Sequence, residues 1–235
     1  MEGTTLPAST QTIWKGTKAL FGVAIVRGGL PSLVTLATVQ GVVPVIRGTA
    51  FAVAEDKFLT CSHVLPTDLT PSDAILLLGL SHSNQPKALV RVSELAVRDE
   101  GLDFALLKGT LTQGFMEPLE IDFRNPVTGE DVIAVGFPLP EERQVGVANR
   151  EVKLVLRATK GIVAAWHPDQ STFEMDAQFL PGLSGAPVLA AESGKVIGMA
   201  QGFVSFRGPA GVMSAVLGLS LSLGALGPRR AELGL

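Results

Sequence analysis

Short apolar runs interrupted by glycine and proline are the feature that most constrains how this chain folds. The 26 glycines and 15 prolines separate runs rich in valine, isoleucine, leucine and threonine. Such runs suit strands joined by turns better than the longer helices of a bundle. Hydrophobic residues make up 46% of the chain and charged residues 17%, so there is enough apolar surface to form a core. We therefore predict an all-β fold.

The predicted strands form two sets of similar size. The first set comprises residues 48–54, 58–61, 74–80, 88–95 and 104–108, and the second comprises residues 131–136, 152–158, 161–166, 171–177, 187–190 and 196–201. A connector over residues 117–126 contains two prolines and mixed charge. Pro168 and Asp169 predict a hairpin turn within the second set. We expect one domain over residues 1–235, with barrels over about 28–116 and 127–226.

The beginning of the chain gives a weaker signal. Trp14, Leu20, Phe21 and Val23 are compatible with a short helix packed across the barrels. The first residues contain neither the basic start nor the apolar core of a signal peptide. The single cysteine, Cys61, cannot form a disulfide within the chain. We therefore expect a cytoplasmic protein in a reducing compartment.

Charge and hydropathy argue against two classes of partner. The net charge is −3, and no Lys/Arg cluster exceeds the pair Arg229 and Arg230, so nucleic-acid binding is not expected. Residues 28–46 and 208–228 are uncharged and long enough to span a membrane. The first stretch alternates like a half-buried strand, and both contain glycines and prolines that break apolar helices. Membrane insertion is therefore not expected.

The run Gly182-Leu183-Ser184-Gly185 is the most informative stretch for function. Acyl transfer through serine needs an oxygen held at a tight turn, with backbone N–H groups facing the reacting carbonyl. Glycine permits such a turn, and the N–H groups of Gly182 and Ser184 are candidates to bind an oxyanion. Taken alone, the run is equally consistent with an ordinary turn serine.

A serine nucleophile needs a base, and the chain has three histidines. His63 follows an apolar run, which places its ring at the rim of a core, whereas His82 and His167 lie in polar turns. By itself, His63 is also consistent with a core-edge histidine whose ring bonds to the backbone.

The base in turn needs an acceptor that fixes its tautomer. Asp103 begins the apolar run Phe104-Ala105-Leu106-Leu107 and is the best candidate. Asp99 and Glu100 remain alternatives, although they precede Gly101 as loop residues would. A turn-capping role for Asp103 is plausible in isolation.

Several motifs in a fixed order connect these residues. They are Gly48-Thr49-Ala50-Phe51, Leu59-Thr60-Cys61-Ser62-His63-Val64, Asp103-Phe104-Ala105-Leu106-Leu107, Ala134-Val135-Gly136-Phe137-Pro138, Gly182-Leu183-Ser184-Gly185-Ala186-Pro187 and Val196-Ile197-Gly198-Met199. Over about residues 48–201 the chain resembles the bacterial trypsin-like serine peptidases, most nearly their HtrA/Deg-like branch. The resemblance includes no PDZ domain.

The resemblance implies two perpendicular six-stranded antiparallel barrels of the chymotrypsin/trypsin-like kind, with the active site in the cleft between them. It implies a serine endopeptidase that forms an acyl-enzyme, with His63 as base, Asp103 as its orienter and Ser184 as nucleophile. Gly182 and Ser184 then donate to the oxyanion. The substrate is a protein or peptide, and neither a cofactor nor a metal is implied.

Two positions depart from the family pattern. Leu183 stands where Asp or Asn is usual, and Ala186 stands where Gly is usual. Leu183 leaves two alternatives open: a pseudoprotease that acts as a binding module, and a protease active only with a regulatory partner or as a homo-oligomer. Because Leu183 cannot pair with an N-terminal ammonium, activation by cleavage before Ile25 is not expected. Cys61 is interpreted as a small buried side chain.

The resemblance also places the primary specificity pocket. Gln178 is expected at its base, with Gln201, Gly202 and Phe203 along one wall. None of these residues is acidic, so a substrate Lys or Arg side chain is disfavoured in the pocket. Relatives specific for Glu carry a histidine where this chain has Met199 or Ala200, so a substrate Glu is disfavoured as well. We expect cleavage after small or medium apolar residues.

Overall fold

Fourteen strands account for most of the ordered architecture in the computed structural model. The structure describes residues 13, 17–28, 46–80, 86–137, 141–145, 149–153, 155–207 and 213–235. Twelve of the strands close into two six-stranded antiparallel barrels. This arrangement confirms the predicted all-β, double-barrel fold.

The first barrel is built from β1 to β6. These are β1 (Leu20–Val26), β2 (Ile46–Ala52), β3 (Lys57–Thr60), β4 (Ala74–Leu80), β5 (Pro86–Asp99) and β6 (Phe104–Gly114). Their order around the barrel is β1-β2-β3-β6-β5-β4. Phe21, Phe51, Phe58 and Phe104 are fully buried, and the rings of Phe21 and Phe58 meet edge to face at 5.4 Å. Aromatic side chains therefore fill this core.

The second barrel follows a polar connector. It contains β7 (Asp131–Gly136), β10 (Arg157–His167), β11 (Thr172–Met175), β12 (Pro187–Ala190), β13 (Val196–Arg207) and β14 (Met213–Ser222). Their order is β10-β11-β14-β13-β12-β7. β8 (Glu141–Val145) and β9 (Asn149–Lys153) form a separate two-stranded sheet. The core of this barrel buries apolar residues from strands, such as Phe173, and from turns, such as Leu183.

Two sequence-based expectations about elements are wrong. Leu20, Phe21 and Val23 lie in strand β1 and are fully buried in the first barrel, whereas Ile13 and Thr17, which precede this strand, are helical. That barrel therefore begins before residue 28, while Trp14 lies outside the described residues. The predicted strand over residues 152–158 instead spans the break between β9 and β10.

β10 continues through Gly161, which sequence reasoning treated as a strand start. A Cβ at this position would collide with the carbonyl of Asp176. The glycine therefore permits close backbone approach within the sheet instead of marking a turn. The predicted hairpin turn is present between β10 and β11, where Gln170 N–H donates to His167 O at 3.2 Å.

The two uncharged stretches have different outcomes. Residues 29–45 lie outside the described residues. Met213–Ser222 of the second stretch forms β14, paired with β11 and β13. No helix in the described part of the chain has the length and apolar character needed to cross a membrane.

The end of the chain returns to the first barrel. A 3-10 helix (Leu223–Arg229) continues into the short helix α1 (Arg230–Leu233). Lys57 Nζ of β3 donates to Leu233 O at 3.4 Å, and Arg229 Nη1 pairs with Asp99 at 2.9 Å. Arg229 also lies over the Phe104 ring at 5.6 Å. This segment supports the loop that leads to Asp103.

Candidate active site

His63 lies in a single-turn 3-10 helix (Ser62–Val64) just after β3. Its Nδ1 is 2.7 Å from Asp103 Oδ2, and its backbone N–H donates to Asp103 Oδ1 at 3.0 Å. The His63 side chain is 49% exposed. Both carboxylate oxygens therefore engage one histidine, and the second ring nitrogen stays accessible.

Asp103 stands on a tightly held loop before β6. Its φ of 52° places it in the left-handed region, which Asp tolerates better than most residues. Leu102 N–H donates to Asp99 Oδ1 at 2.9 Å, and Arg229 donates to Asp99 Oδ2 at 2.9 Å. These two interactions lower the pKa of the Asp99 carboxyl, that with the Leu102 N–H being the larger. Asp99 thus shapes the loop and does not face His63.

Glu100, the other alternative orienter, also points elsewhere. Its Oε1 lies 3.6 Å from Arg98 Nε, and its side chain is largely exposed. Arg98 itself donates to Ser62 Oγ and to the carbonyl oxygens of residues near His63. The geometry therefore pairs His63 with Asp103.

Two successive turns present Ser184. In the first, Leu183 N–H donates to Leu180 O at 3.1 Å, and Gly182 has a φ of 96°. With Pro181 in the second position, this has the features of a type II turn. In the second, Ala186 N–H donates to Leu183 O at 2.8 Å, and Gly185 has a φ of 84°. Ser184 lies between the two glycines; we call residues 180–185 the serine turn.

The backbone N–H groups of Gly182 and Ser184 have no protein acceptor among the described residues. In contrast, the neighbouring Gly185 N–H donates to Ala200 O at 2.8 Å. Both residues are only partly buried, so these donors can be reached from outside. They are the two N–H groups that the sequence predicts as donors to an oxyanion.

The Ser184 hydroxyl donates to Gln201 O at 3.2 Å rather than to the His63 ring. The Gln201 side chain crosses the cleft, and its Nε2 donates to Leu102 O at 2.8 Å. Gln201 thus contacts both Ser184 and the loop that carries Asp103. Of the three sequence-predicted residues, the structure joins only His63 and Asp103 directly. Ser184 reaches the Asp103 loop through Gln201 and does not line the cavity that His63 and Asp103 share.

A cavity of about 620 Å³ adjoins this cleft. His63, Asp103 and Leu102 line it from the first barrel, and Gln201, Gly202 and Phe203 line it from the second. Phe203 is 57% exposed and offers an apolar wall. Gln178 is exposed and does not line this cavity. The cavity therefore supports three of the four predicted substrate-binding positions and gives no support to Gln178.

Cys61 is fully buried beneath the His63–Asp103 pair. Its Sγ lies within 4.8 Å of ligand atoms of both residues and donates to Ala200 O at 3.2 Å. Burial, followed by the Asp103 charge, raises the pKa of this thiol well above its usual value. A buried, protonated thiol is a poor nucleophile and a poor metal ligand, which agrees with its interpretation as a packing residue.

The other two histidines are not seen at the site, whereas Thr49 contacts it. His167 Nε2 lies 3.0 Å from Glu174 Oε1, and His82 is outside the described residues. Thr49 was missed by sequence reasoning as a site residue, yet it contacts Gly182 and Ser184 directly. Its position in Gly48-Thr49-Ala50-Phe51 was the only signal, and nothing in that motif reveals a partner over a hundred residues away.

Comparison with known proteins supports the double-barrel fold. Residues 48–199 match the family model of the trypsin-like peptidase domain. No curated protein matches the chain. Among solved structures, the chain is similar to the serine endoprotease from Yersinia pestis, with a TM-score of 0.63 and 20% identity over 97% of this chain and 67% of that one. At this identity, the structural likeness concerns the fold.

Proposed function

The chain belongs to the trypsin-like peptidase family, which consists of serine proteases, and on this premise we propose a triad of Ser184, His63 and Asp103. The pairing of both Asp103 oxygens with His63, at 2.7 and 3.0 Å, is the observation that carries the proposal. It favours the tautomer in which Nδ1 bears the proton and Nε2 is free to accept one.

In the proposed reaction, Ser184 Oγ attacks the peptide carbonyl while His63 Nε2 takes its proton. The oxyanion accepts hydrogen bonds from the Gly182 and Ser184 N–H groups. His63 then protonates the leaving amine, and water hydrolyses the acyl-enzyme by the reverse sequence. For this reaction Ser184 must exchange its bond to Gln201 O for one to His63 Nε2.

Covalent labelling tests the proposal directly. We expect a fluorophosphonate probe to modify the purified chain at a single residue, Ser184, as located by mass spectrometry of the digested protein. A folded chain that remains unlabelled would contradict the proposal. That result would favour a binding module, a candidate supported by the present bond from Ser184 to Gln201.

Labelling that requires assembly would support the remaining alternative, a protease dependent on a partner or on oligomerisation. The same samples should therefore be passed over a size-exclusion column with mass detection. Labelling confined to a larger species would assign the active form to that assembly. We expect labelling of the monomeric fraction, because the serine turn is already ordered by contacts within the chain.

Specificity is expected to favour small or medium apolar residues before the scissile bond. Gln201, Gly202 and Phe203 contribute no charge to the cavity that they line, and Phe203 offers an apolar wall. Asp169 lines the same cavity from the turn between β10 and β11, so the expectation rests on the three predicted pocket residues. A peptide-library cleavage profile measures this preference. A profile dominated by Arg, Lys or Glu would contradict it.

Removal of the first 24 residues is expected to abolish labelling rather than activate the chain. Such trimming deletes Leu20, Phe21 and Val23, which are fully buried in β1. Leu183 is 3% exposed in the second core and offers nothing to a new ammonium group. Probe labelling and thermal melting of the trimmed and intact chains give the comparison. Labelling that appears only after trimming would overturn this expectation.

A further inference from the structure

We propose that the Thr49 hydroxyl is a positioning group that holds the serine turn in the conformation needed to bind an oxyanion. Thr49 belongs to β2 of the first barrel and is fully buried. Its Oγ1 donates to Gly182 O at 3.0 Å, and its backbone N–H donates to Ser184 O at 2.8 Å. This inference rests on the proposed function, because it explains how the same site is kept ordered.

The hydroxyl has a fixed orientation. Phe137 directly follows β7, and its backbone N–H donates to Thr49 Oγ1 at 3.1 Å. The Thr49 hydroxyl in turn donates its proton to Gly182 O. A hydroxyl has one proton to donate, so these two bonds determine its direction. Thr49 thereby connects β2, the end of β7 and the serine turn.

These bonds act on the peptide groups that surround the two free donors. The Gly182 carbonyl belongs to the peptide that lies between those carrying the Gly182 and Ser184 N–H groups. The Ser184 carbonyl belongs to the peptide immediately after them. Glycine at position 182 permits many backbone angles, so an anchored carbonyl limits rotation where the sequence itself does not. Without the hydroxyl, Gly182 O loses this bond and the turn gains freedom.

The same threonine also connects the turn to the segment that carries His63. Thr60 Oγ1, at the end of β3, donates to Thr49 O at 2.7 Å. Gly185 packs so closely on this link that a Cβ there would collide with Thr49 O and lie 2.5 Å from Thr60 Oγ1. Thr49 therefore sets the serine turn at a defined distance from the proposed base.

Thr49 and Leu183 together order the serine turn without the ion pair that an N-terminal ammonium would form. Leu183 anchors the turn by burial in the second barrel, and Thr49 anchors its backbone from the first barrel. Neither contact requires a new N-terminus or a partner. The serine turn is therefore ordered by contacts that form when the two barrels fold together.

The test compares Thr49→Val, which keeps the side-chain shape and removes the hydroxyl, with Thr49→Ser, which keeps the hydroxyl. We expect Thr49→Val to lower kcat by about 10- to 100-fold, somewhat less than loss of an oxyanion donor, with KM changed by less than about threefold. Thr49→Ser should retain most of the activity. A peptide boronate, which forms a tetrahedral adduct on serine, should bind Thr49→Val more weakly by the same factor as the loss in kcat.

Thr112→Val is a matched control in the same barrel. Its Oγ1 donates to Leu89 O at 3.0 Å, away from the serine turn, so kcat and boronate affinity should remain at wild-type levels. A Thr49→Val enzyme with unchanged kcat would overturn the inference. So would equal losses in Thr49→Val and Thr49→Ser, because the hydroxyl would then not be the acting group.

Two further measurements distinguish a failure of the inference from a variant that does not fold and from a failure of the proposed function. If Thr49→Val gives no cooperative thermal transition, Thr49→Cys replaces it, since a thiol is a weaker donor. An intermediate kcat for Thr49→Cys supports the inference, and a wild-type value overturns it. If the wild-type chain itself is not labelled by the probe, the proposed function fails and the hydroxyl has no catalytic turn to order.

Discussion

Replacing Ser184 with alanine is expected to abolish probe labelling and to lower kcat for peptide hydrolysis by about 10⁶-fold. The alanine has no oxygen to attack the carbonyl, so only binding and oxyanion stabilisation can accelerate the reaction. The fold should persist, because the hydroxyl makes one bond, to Gln201 O at 3.2 Å. Loss of one such bond costs about 1 kcal/mol, so the thermal midpoint should move by a few degrees at most.

Ser193→Ala provides the matched control for this variant. Ser193 lies in an exposed turn, and its hydroxyl accepts one bond, from Lys195 N–H at 3.3 Å. Removal of the Ser193 hydroxyl should leave probe labelling and kcat unchanged. Full labelling of Ser184→Ala would contradict the assignment of the nucleophile, whereas reduced labelling of Ser193→Ala would show that the probe reports turn structure rather than chemistry.

Much of the fold could be predicted because its signals are local. Residues 74–80, 131–136 and 187–190 were predicted as strands from short apolar runs, and β4, β7 and β12 have these same limits. Longer strands such as β5 and β13 were predicted too short, because their outer parts are held by pairing with neighbouring strands.

Two errors in the fold have physical causes that a local sequence pattern does not show. β1 was not predicted as a strand, and neighbouring residues of this strand, Leu20, Phe21 and Val23 among them, are buried together. Burial of both faces of a strand removes the alternation on which strand prediction depends. At Gly161 the reason for glycine is a close approach of Asp176, which no local pattern indicates.

The site residues were predicted from chemistry, but their supporting contacts were not. His63 and Asp103 were proposed from position and resemblance, and the structure pairs their side chains. The contact of Thr49 with Gly182 and that of Gln201 with Leu102 each join residues far apart in the chain. Such contacts depend on how the two barrels meet, which the sequence of one segment does not encode. The catalytic roles themselves remain predictions.

The second large effect is expected for Asp103→Asn, which should lower kcat by about 10⁴-fold with little change in KM. Asparagine fits the same space and can still accept the His63 backbone N–H that now donates to Asp103 Oδ1 at 3.0 Å. Its NH₂ group would then face Nδ1, which lies 2.7 Å from Asp103 Oδ2. The ring would adopt the tautomer with its proton on Nε2, where it cannot accept the proton of Ser184.

Asp99→Asn distinguishes this effect from general damage to the loop. An amide oxygen at position 99 still accepts the Leu102 N–H, and only the ion pair with Arg229 is lost. Exposed or half-exposed ion pairs contribute about 0–1 kcal/mol, so kcat should fall by less than about tenfold. If instead Asp103→Asn were as fast as wild type and Asp99→Asn lost activity by orders of magnitude, the orienting carboxylate would be Asp99. The 2.7 Å contact between His63 and Asp103 leads us to expect the opposite order.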